Sequence, residues 1–214
     1  MSDEQYFTTQ PQVASVAHSK DQNFAVLRMA GRDITVGTDR GVFSRKGIDQ
    51  GTMVLLESAG RPPSTGTFLD LGCGAGPIAL SLAAYSPEAT VYAIDINERA
   101  QKLTAANAQR NGMSNVITCA PSEVDEHVRF DVLWSNPPIR IGKQELHKLL
   151  TTWLSRLSTN GEAWLVINRN LGSDSLAVWL TEQGYSVERL TSKRGFRVLR
   201  VTPTRVPGQP ELSS

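Results

Sequence analysis

The segment Asn136-Pro137-Pro138-Ile139 closes an apolar run over 130–135. The Asn side-chain oxygen and the backbone carbonyl of the first Pro both accept hydrogen bonds. Neither Pro has an N–H to occupy the same space, and both have φ fixed. An amino group gripped by two such acceptors is tilted out of conjugation, and its lone pair becomes available. The chemistry this suits is attack by a planar exocyclic nitrogen on an electrophilic carbon. An Asn before Pro is also an ordinary turn residue, so the reading depends on what lies upstream.

Upstream, a short apolar segment ends in Asp70-Leu71-Gly72-Cys73-Gly74-Ala75-Gly76-Pro77. Alternate glycines let the backbone bend sharply and approach a ligand with no Cβ in the way. A dinucleotide fingerprint needs Gly where this chain has Pro77. The departure favours an Asp-x-Gly-x-Gly-x-Gly loop of the kind that holds the methionine portion of S-adenosylmethionine. The next apolar segment ends in Asp95, where a carboxylate can accept both ribose hydroxyls. As a helix N-cap, Asn97 is better placed than Asp95.

These residues need a scaffold that brings successive strand ends to one edge. From about 67 to 202 the pattern alternates. Strands are expected over 67–71, 90–94, 116–119, 130–135, 162–167, 185–190 and 196–201. Helices are expected over 77–85, 98–111, 143–157 and 173–183. Strands alternating with helices of this length imply βαβ units. The fold class is α/β: a Rossmann-like, doubly wound, seven-stranded, mostly parallel sheet. Residues 191–195 are too few for a crossover, so the last strand is antiparallel. Residues 24–29 and 34–36 predict a β-hairpin and 48–58 a helix. We read 1–60 as an appendage or lid of the same domain, 61–206 as the core and 207–214 as a disordered tail.

The chain has 214 residues, 40% hydrophobic, with a formal charge of +1. That is ordinary for a globular domain and argues against a broad non-specific nucleic-acid surface, while permitting a local basic patch. Cys73 and Cys119 form no disulfide or zinc pattern and read as free thiols of a cytoplasmic protein. The start, Met1-Ser2-Asp3-Glu4-Gln5, is unlike a signal peptide, and no apolar run suits a membrane span. No metal-ligand cluster is visible.

On the glycine loop, Asp95 and Asn136-Pro137-Pro138, together with Gly41-Val42-Phe43-Ser44 and Gly195-Phe196-Arg197-Val198, the chain resembles the "methyltransferase small" family of class I S-adenosylmethionine-dependent methyltransferases. That family includes bacterial enzymes acting on guanine N2 of small-subunit ribosomal RNA. The resemblance implies that Gly72, Cys73, Gly74 and Gly76 line the cofactor's amino-acid end, with Asp70 near its ammonium. It implies that Asp95 holds the ribose and that Ile96 and Asn97 flank the adenine. Ser122 or Glu123 faces the adenine amine, and Phe43 and Ser44 close over the pocket. Asn136 and Pro137 are the catalytic pair. Many relatives carry an aromatic residue where this chain has Ile139, followed here by Arg140.

Pro138, Ile139, Arg140, Lys193 and Arg194 are the expected substrate contacts. Arg140, Lys193 and Arg194, with Arg45, Lys46, Lys143, His147, Lys148 and Arg197, predict a basic rim for phosphates. His147 itself reads as a surface residue rather than a base. The partner expected is RNA, as ribosomal RNA or a ribosomal particle, met by a monomer or dimer. Glutamine N5 and adenine N6 remain alternative acceptors. A catalytically idle cofactor- or RNA-binding assembly factor is a further alternative. A nicotinamide-dependent oxidoreductase is disfavoured by Pro77.

Overall fold

The computed structural model describes residues 14–18, 24–38 and 47–204, the first of these by backbone alone. In chain order its strands are β1 (Ala14–His18), β2 (Phe24–Met29), β3 (Arg32–Gly37), β4 (Thr67–Leu71), β5 (Thr90–Ile94), β6 (Val116–Cys119), β7 (Phe130–Ser135), β8 (Leu157–Asn168), β9 (Tyr185–Lys193) and β10 (Phe196–Pro203). The helices are α1 (Gln50–Ser58), α2 (Pro77–Tyr85), α3 (Glu98–Arg110), α4 (Lys143–Leu154) and α5 (Ser173–Glu182). The main sheet has seven strands in the order β6-β5-β4-β7-β8-β10-β9. From β6 to β8 neighbours run parallel, and β10 is antiparallel to both β8 and β9. The antiparallel last strand anticipated from the sequence is therefore present, inserted one place in from the edge.

The strands are short and apolar because both faces are covered. Alternate side chains feed two cores. Phe68, Trp134, Trp164 and Val198 pack with α1, α2 and the small sheet of β1–β3. Leu69, Leu133, Leu165 and Leu199 pack with α4 and α5. Val54, Leu55 and Leu56 of α1 are fully buried, each contributing about 2 kcal/mol from burial. The small sheet is fastened by amides of α3 and its C-cap. Asn107 exchanges hydrogen bonds with Gly37 and donates to Ala75 O, and Asn111 exchanges bonds with Thr35.

Some boundaries differ from expectation. The fourth helix stops at Leu154, and β8 starts at Leu157 instead of 162. Asn160-Gly161 does not end a helix but lies within an irregular stretch of β8, where the pairing with β7 shifts register. Gly161 is needed there because a Cβ would stand 2.5 Å from Phe130 O. Both hairpin strands near the C-terminus run longer than predicted. They are joined by Arg194-Gly195, two residues with positive φ that suit a tight hairpin turn. Strand β1, which extends the N-terminal hairpin, had no counterpart in the sequence reading. Residues 1–5, the Gly41–Ser44 segment with Arg45 and Lys46, and the tail 207–214 lie outside the described residues.

Candidate active site

Chain order places β4, β5 and β6 outward to one side and β7 and β8 to the other. The direction reverses between β4 and β7, and the crevice beyond their C-terminal ends is where open α/β sheets bind ligands. The glycine bend leaves β4 there, and Asn136 leaves β7 beside it. Asp70 pairs in register with Trp134, and Ser135 Oγ donates to Leu71 O at 2.7 Å. The two motifs, 60 residues apart in sequence, are locked side by side.

The bend is held from behind. Gly72 N and Cys73 N donate to Ile94 O, and Gly76 N donates to Cys73 O. Gly76 has φ +83°, and a Cβ there would lie 2.7 Å from Thr104 Cγ2, so it is needed for packing. Gly72 is different: its φ is +80°, but a Cβ would meet nothing within 4 Å. Its missing side chain leaves space on the open side of the loop. The Cys73 thiol is buried beside Thr104, and burial pushes its pKa upward, which suits packing rather than nucleophilic chemistry.

Asp70 is fully buried. Its Oδ2 accepts from Ala79 N at 2.9 Å, while Oδ1 has no partner. Burial pushes its carboxyl up to about 8; the Ala79 N–H opposes the rise and the Asp95 charge adds to it. A buried carboxyl oxygen with no donor would be satisfied by a cationic ligand, which would also favour the charged form of the carboxyl. Asp95, at the end of β5, accepts from Asn97 N at 2.9 Å and Gly74 N at 3.1 Å, which fixes its orientation. Asn97 caps α3, as its position suggested, accepting from Arg99 N. Next to it Ile96 is 91% exposed, an apolar side chain with no cover. A buried carboxyl short of a donor, a space bare of Cβ, an oriented carboxylate and an uncovered apolar side chain fit a ligand with an ammonium group, a ribose diol and an aromatic base. Ser122 and Glu123 occupy a short turn after β6. Glu123 turns its carboxylate back onto Ala120 N at 2.6 Å.

On the acceptor side, Asn136 is half-buried and Pro137 buried. Ile139 N donates to Pro137 O at 2.8 Å around Pro138, a tight turn that sets the direction of the Pro137 carbonyl and leaves its second lone pair. Asn136 Nδ2 donates to Asp49 Oδ1 at 2.7 Å and to Thr52 Oγ1 at 3.1 Å. Among the described residues nothing donates to Asn136 Oδ1. Ile139 packs partly against the α4–α5 core, while Arg140 and Pro138 are exposed.

The basic residues divide. Lys193 and Arg194 both pair with Glu57 near the end of α1, Arg197 pairs with Asp174, and Lys148 with Glu145. Arg140 and Lys143 meet no carboxylate among the described residues. His147 stacks on Trp179 with ring centroids 3.7 Å apart, and burial lowers its pKa. Phe43 and Ser44, expected over the pocket, lie outside the described residues. Asp49 and Thr52 were missed by the sequence reading. Asp49 could have been found as an N-cap ahead of the first helix, but its reach to Asn136 is a tertiary fact. Among the described residues no group of His, Cys, Asp and Glu could hold a metal ion. Among the described residues no helix is long and apolar enough to cross a membrane.

Comparison with known proteins bears on this arrangement. The profile described as Methyltransferase small domain matches residues 33–200. The chain is 36% identical over 200 residues to the uncharacterized protein YbxB of Bacillus subtilis (strain 168), covering 92% of this chain and 97% of that protein. It is 33% identical over 177 residues to Ribosomal RNA small subunit methyltransferase C of Erwinia tasmaniensis, covering 81% of this chain and 51% of that one. The chain thus spans about half the length of the small-subunit methyltransferases it matches. Among solved structures, the T. thermophilus 16S rRNA N2 methyltransferase RsmC, in complex with AdoMet and guanosine, superposes with TM-score 0.68 at 21% identity, over 92% of this chain and 51% of that one. A precorrin-6y C5,15-methyltransferase from Geobacter metallireducens gives 0.61 at 14%, over 79% and 94%.

Proposed function

The chain belongs to the methyltransferase small family of S-adenosylmethionine-dependent methyltransferases, and from that premise we propose that it methylates an exocyclic amino group of RNA, guanine N2 of small-subunit ribosomal RNA. The observation that carries this reading is the state of Asn136. Its amide N–H groups are already taken by Asp49 and Thr52, which leaves its carbonyl oxygen as the acceptor at the crevice. S-adenosylmethionine supplies a methyl group on a positively charged sulfur, open to in-line attack. Asn136 Oδ1 accepts one N–H of the target amine and Pro137 O the other. Held this way, the amine keeps its lone pair out of conjugation and aimed. The nitrogen becomes cationic as its bond to the methyl carbon forms and the carbon–sulfur bond breaks, leaving a neutral thioether, and it then releases a proton to solvent, so a strong base is not required; positioning supplies most of the barrier reduction. Asp70 takes the ammonium end of the cofactor, Asp95 the ribose and Ile96 one face of the adenine.

The ribosomal target draws support from the named relatives that act on small-subunit ribosomal RNA. It would place the protein in the cytoplasm with the ribosome. Arg140 and Lys143, beyond the acceptor motif, are cations available to phosphates. One observation favours a second reading. Ile139 offers a target base no aromatic ring, which suits a glutamine amide that needs no stacking partner; adenine N6 would be held by the same two acceptors. The test is transfer of labelled methyl to 16S transcript, 30S particles, ribosomal protein and DNA side by side, followed by nucleoside and amino-acid digestion. Label in N2-methylguanosine is expected. Label only in N5-methylglutamine or N6-methyladenine moves the assignment to the second reading. Cofactor uptake with no transfer to any of them would mark an idle binder.

A further inference from the structure

We infer that Asp49 and Thr52, at the start of α1, are positioning residues that set which end of the Asn136 amide faces the acceptor. The inference deepens the proposed function and rests on its assignment of Asn136. An Asn side chain can turn either end outward, and the flipped form would present a donor to an incoming amino group. Asp49 removes the choice. A carboxylate accepts and does not donate, so the group against Asp49 Oδ1 at 2.7 Å must be the amide NH2. The flipped form would set oxygen against oxygen. Thr52 Oγ1, in a residue 5% exposed, takes the second N–H at 3.1 Å.

The clamp is itself held. Asp49 Oδ1 also accepts from Gly51 N at 2.8 Å and Thr52 N at 3.3 Å, so the same oxygen caps the helix and grips Asn136. Gly51 lets the first turn of α1 press on the Phe196 ring, where a Cβ would stand 2.8 Å away. At the far end of the helix, Glu57 is tied to Lys193 and Arg194. The helix is thereby fixed at both ends, and its first turn registers the catalytic amide across 87 residues of sequence.

Three substitutions separate this role from capping. Asp49→Ser keeps a good N-cap but is too short to reach Asn136. Asp49→Asn keeps both the cap and an acceptor oxygen. Thr52→Val removes the second acceptor at constant shape. Single-turnover methyl transfer to 16S transcript should fall about 10- to 100-fold in Asp49→Ser and several-fold in Thr52→Val, with cofactor affinity within about twofold of wild type. Asp49→Asn should recover most of the loss. Asp49→Ser added to Asn136→Ala should cost nothing further, because the effect passes through Asn136.

Independently of any substrate, the Asn136 side-chain amide, assigned in 15N spectra of the full chain by its disappearance in Asn136→Ala, should exchange slowly in wild type and Asp49→Asn and fast in Asp49→Ser. Equal protection in all three, or an undiminished further loss in the Asn136→Ala background, overturns the inference. Should Asp49→Ser fail to fold, Thr52→Val carries the same two readouts. Wild-type protein that transfers methyl to none of the substrates refutes the proposed function, and the amide exchange still decides the positioning role.

Discussion

The two halves of the crevice are built on different principles. On the donor side, at the end of β4, the proposed recognition rests on backbone shape. The bend needs glycine at Gly72 for open space and at Gly76 for packing, and its backbone is tied to Ile94 of the neighbouring strand and to Thr104 and Asn107 of α3. On the acceptor side, at the end of β7, the proposed recognition rests on one side chain whose amide is held from α1. A backbone cradle tolerates change around it as long as the bend survives. A clasp of one amide and one carbonyl depends on distant residues that share no motif with it.

The sharpest way to break this contrast is Asn136→Ala. Single-turnover methyl transfer should fall about 100- to 1000-fold, with cofactor affinity changed by less than about threefold. Equal losses in rate and affinity, measured by rapid quench and calorimetry, would erase the division between the halves. Gly76→Ala should be the most damaging change on the donor side, lowering stability by about 2–3 kcal/mol in chemical denaturation, since the new Cβ meets Thr104 in a left-handed backbone. Gly72→Ala should cost only about 1 kcal/mol of stability. Its penalty should show instead in cofactor affinity, because its Cβ fills space left for a ligand.

Asp70 gives the donor side a pH signature. In the native chain its carboxyl holds a proton up to about 8, against 3.8 as its ordinary value. Between these values the folded state binds a proton that the unfolded state has released. The associated stability is complete below pH 3.8 and is lost as pH rises through about 8, with a slope of at most about 1.4 kcal/mol per pH unit. Urea unfolding of the cofactor-free protein across that range should show the decline, and Asp70→Asn should flatten it. The smallest effect belongs to Arg140→Ala. The KM for RNA should rise about three- to tenfold with kcat unchanged, and the salt dependence should become shallower by about one unit of log–log slope.

The same contrast explains what could be read from the sequence. Gly72, Gly76, Asp95 and Asn136 were legible because each acts within a strand end and the few residues after it, where local spacing determines geometry. The mostly parallel sheet followed from alternating elements, and its antiparallel last strand from a final connection too short for a crossover. Asp49 and Thr52 were not legible as partners of Asn136, because their contact is made by packing a helix across the sheet. The Glu57 pairing of Lys193 and Arg194 was hidden for the same reason, and a charged pair expected at a rim turned out to hold a helix end. The early start of β8 was obscured because Asn160-Gly161 has the composition of a turn, and only the approach of Phe130 O explains the glycine.

The donor bend is most directly tested by calorimetric titration of S-adenosylhomocysteine into wild type, Gly72→Ala and Asn136→Ala. Saturable uptake is expected in wild type, with nearly the same affinity in Asn136→Ala and a clear loss in Gly72→Ala. Absence of uptake by wild type, or equal affinity in Gly72→Ala, would contradict a glycine bend that cradles the methyl donor.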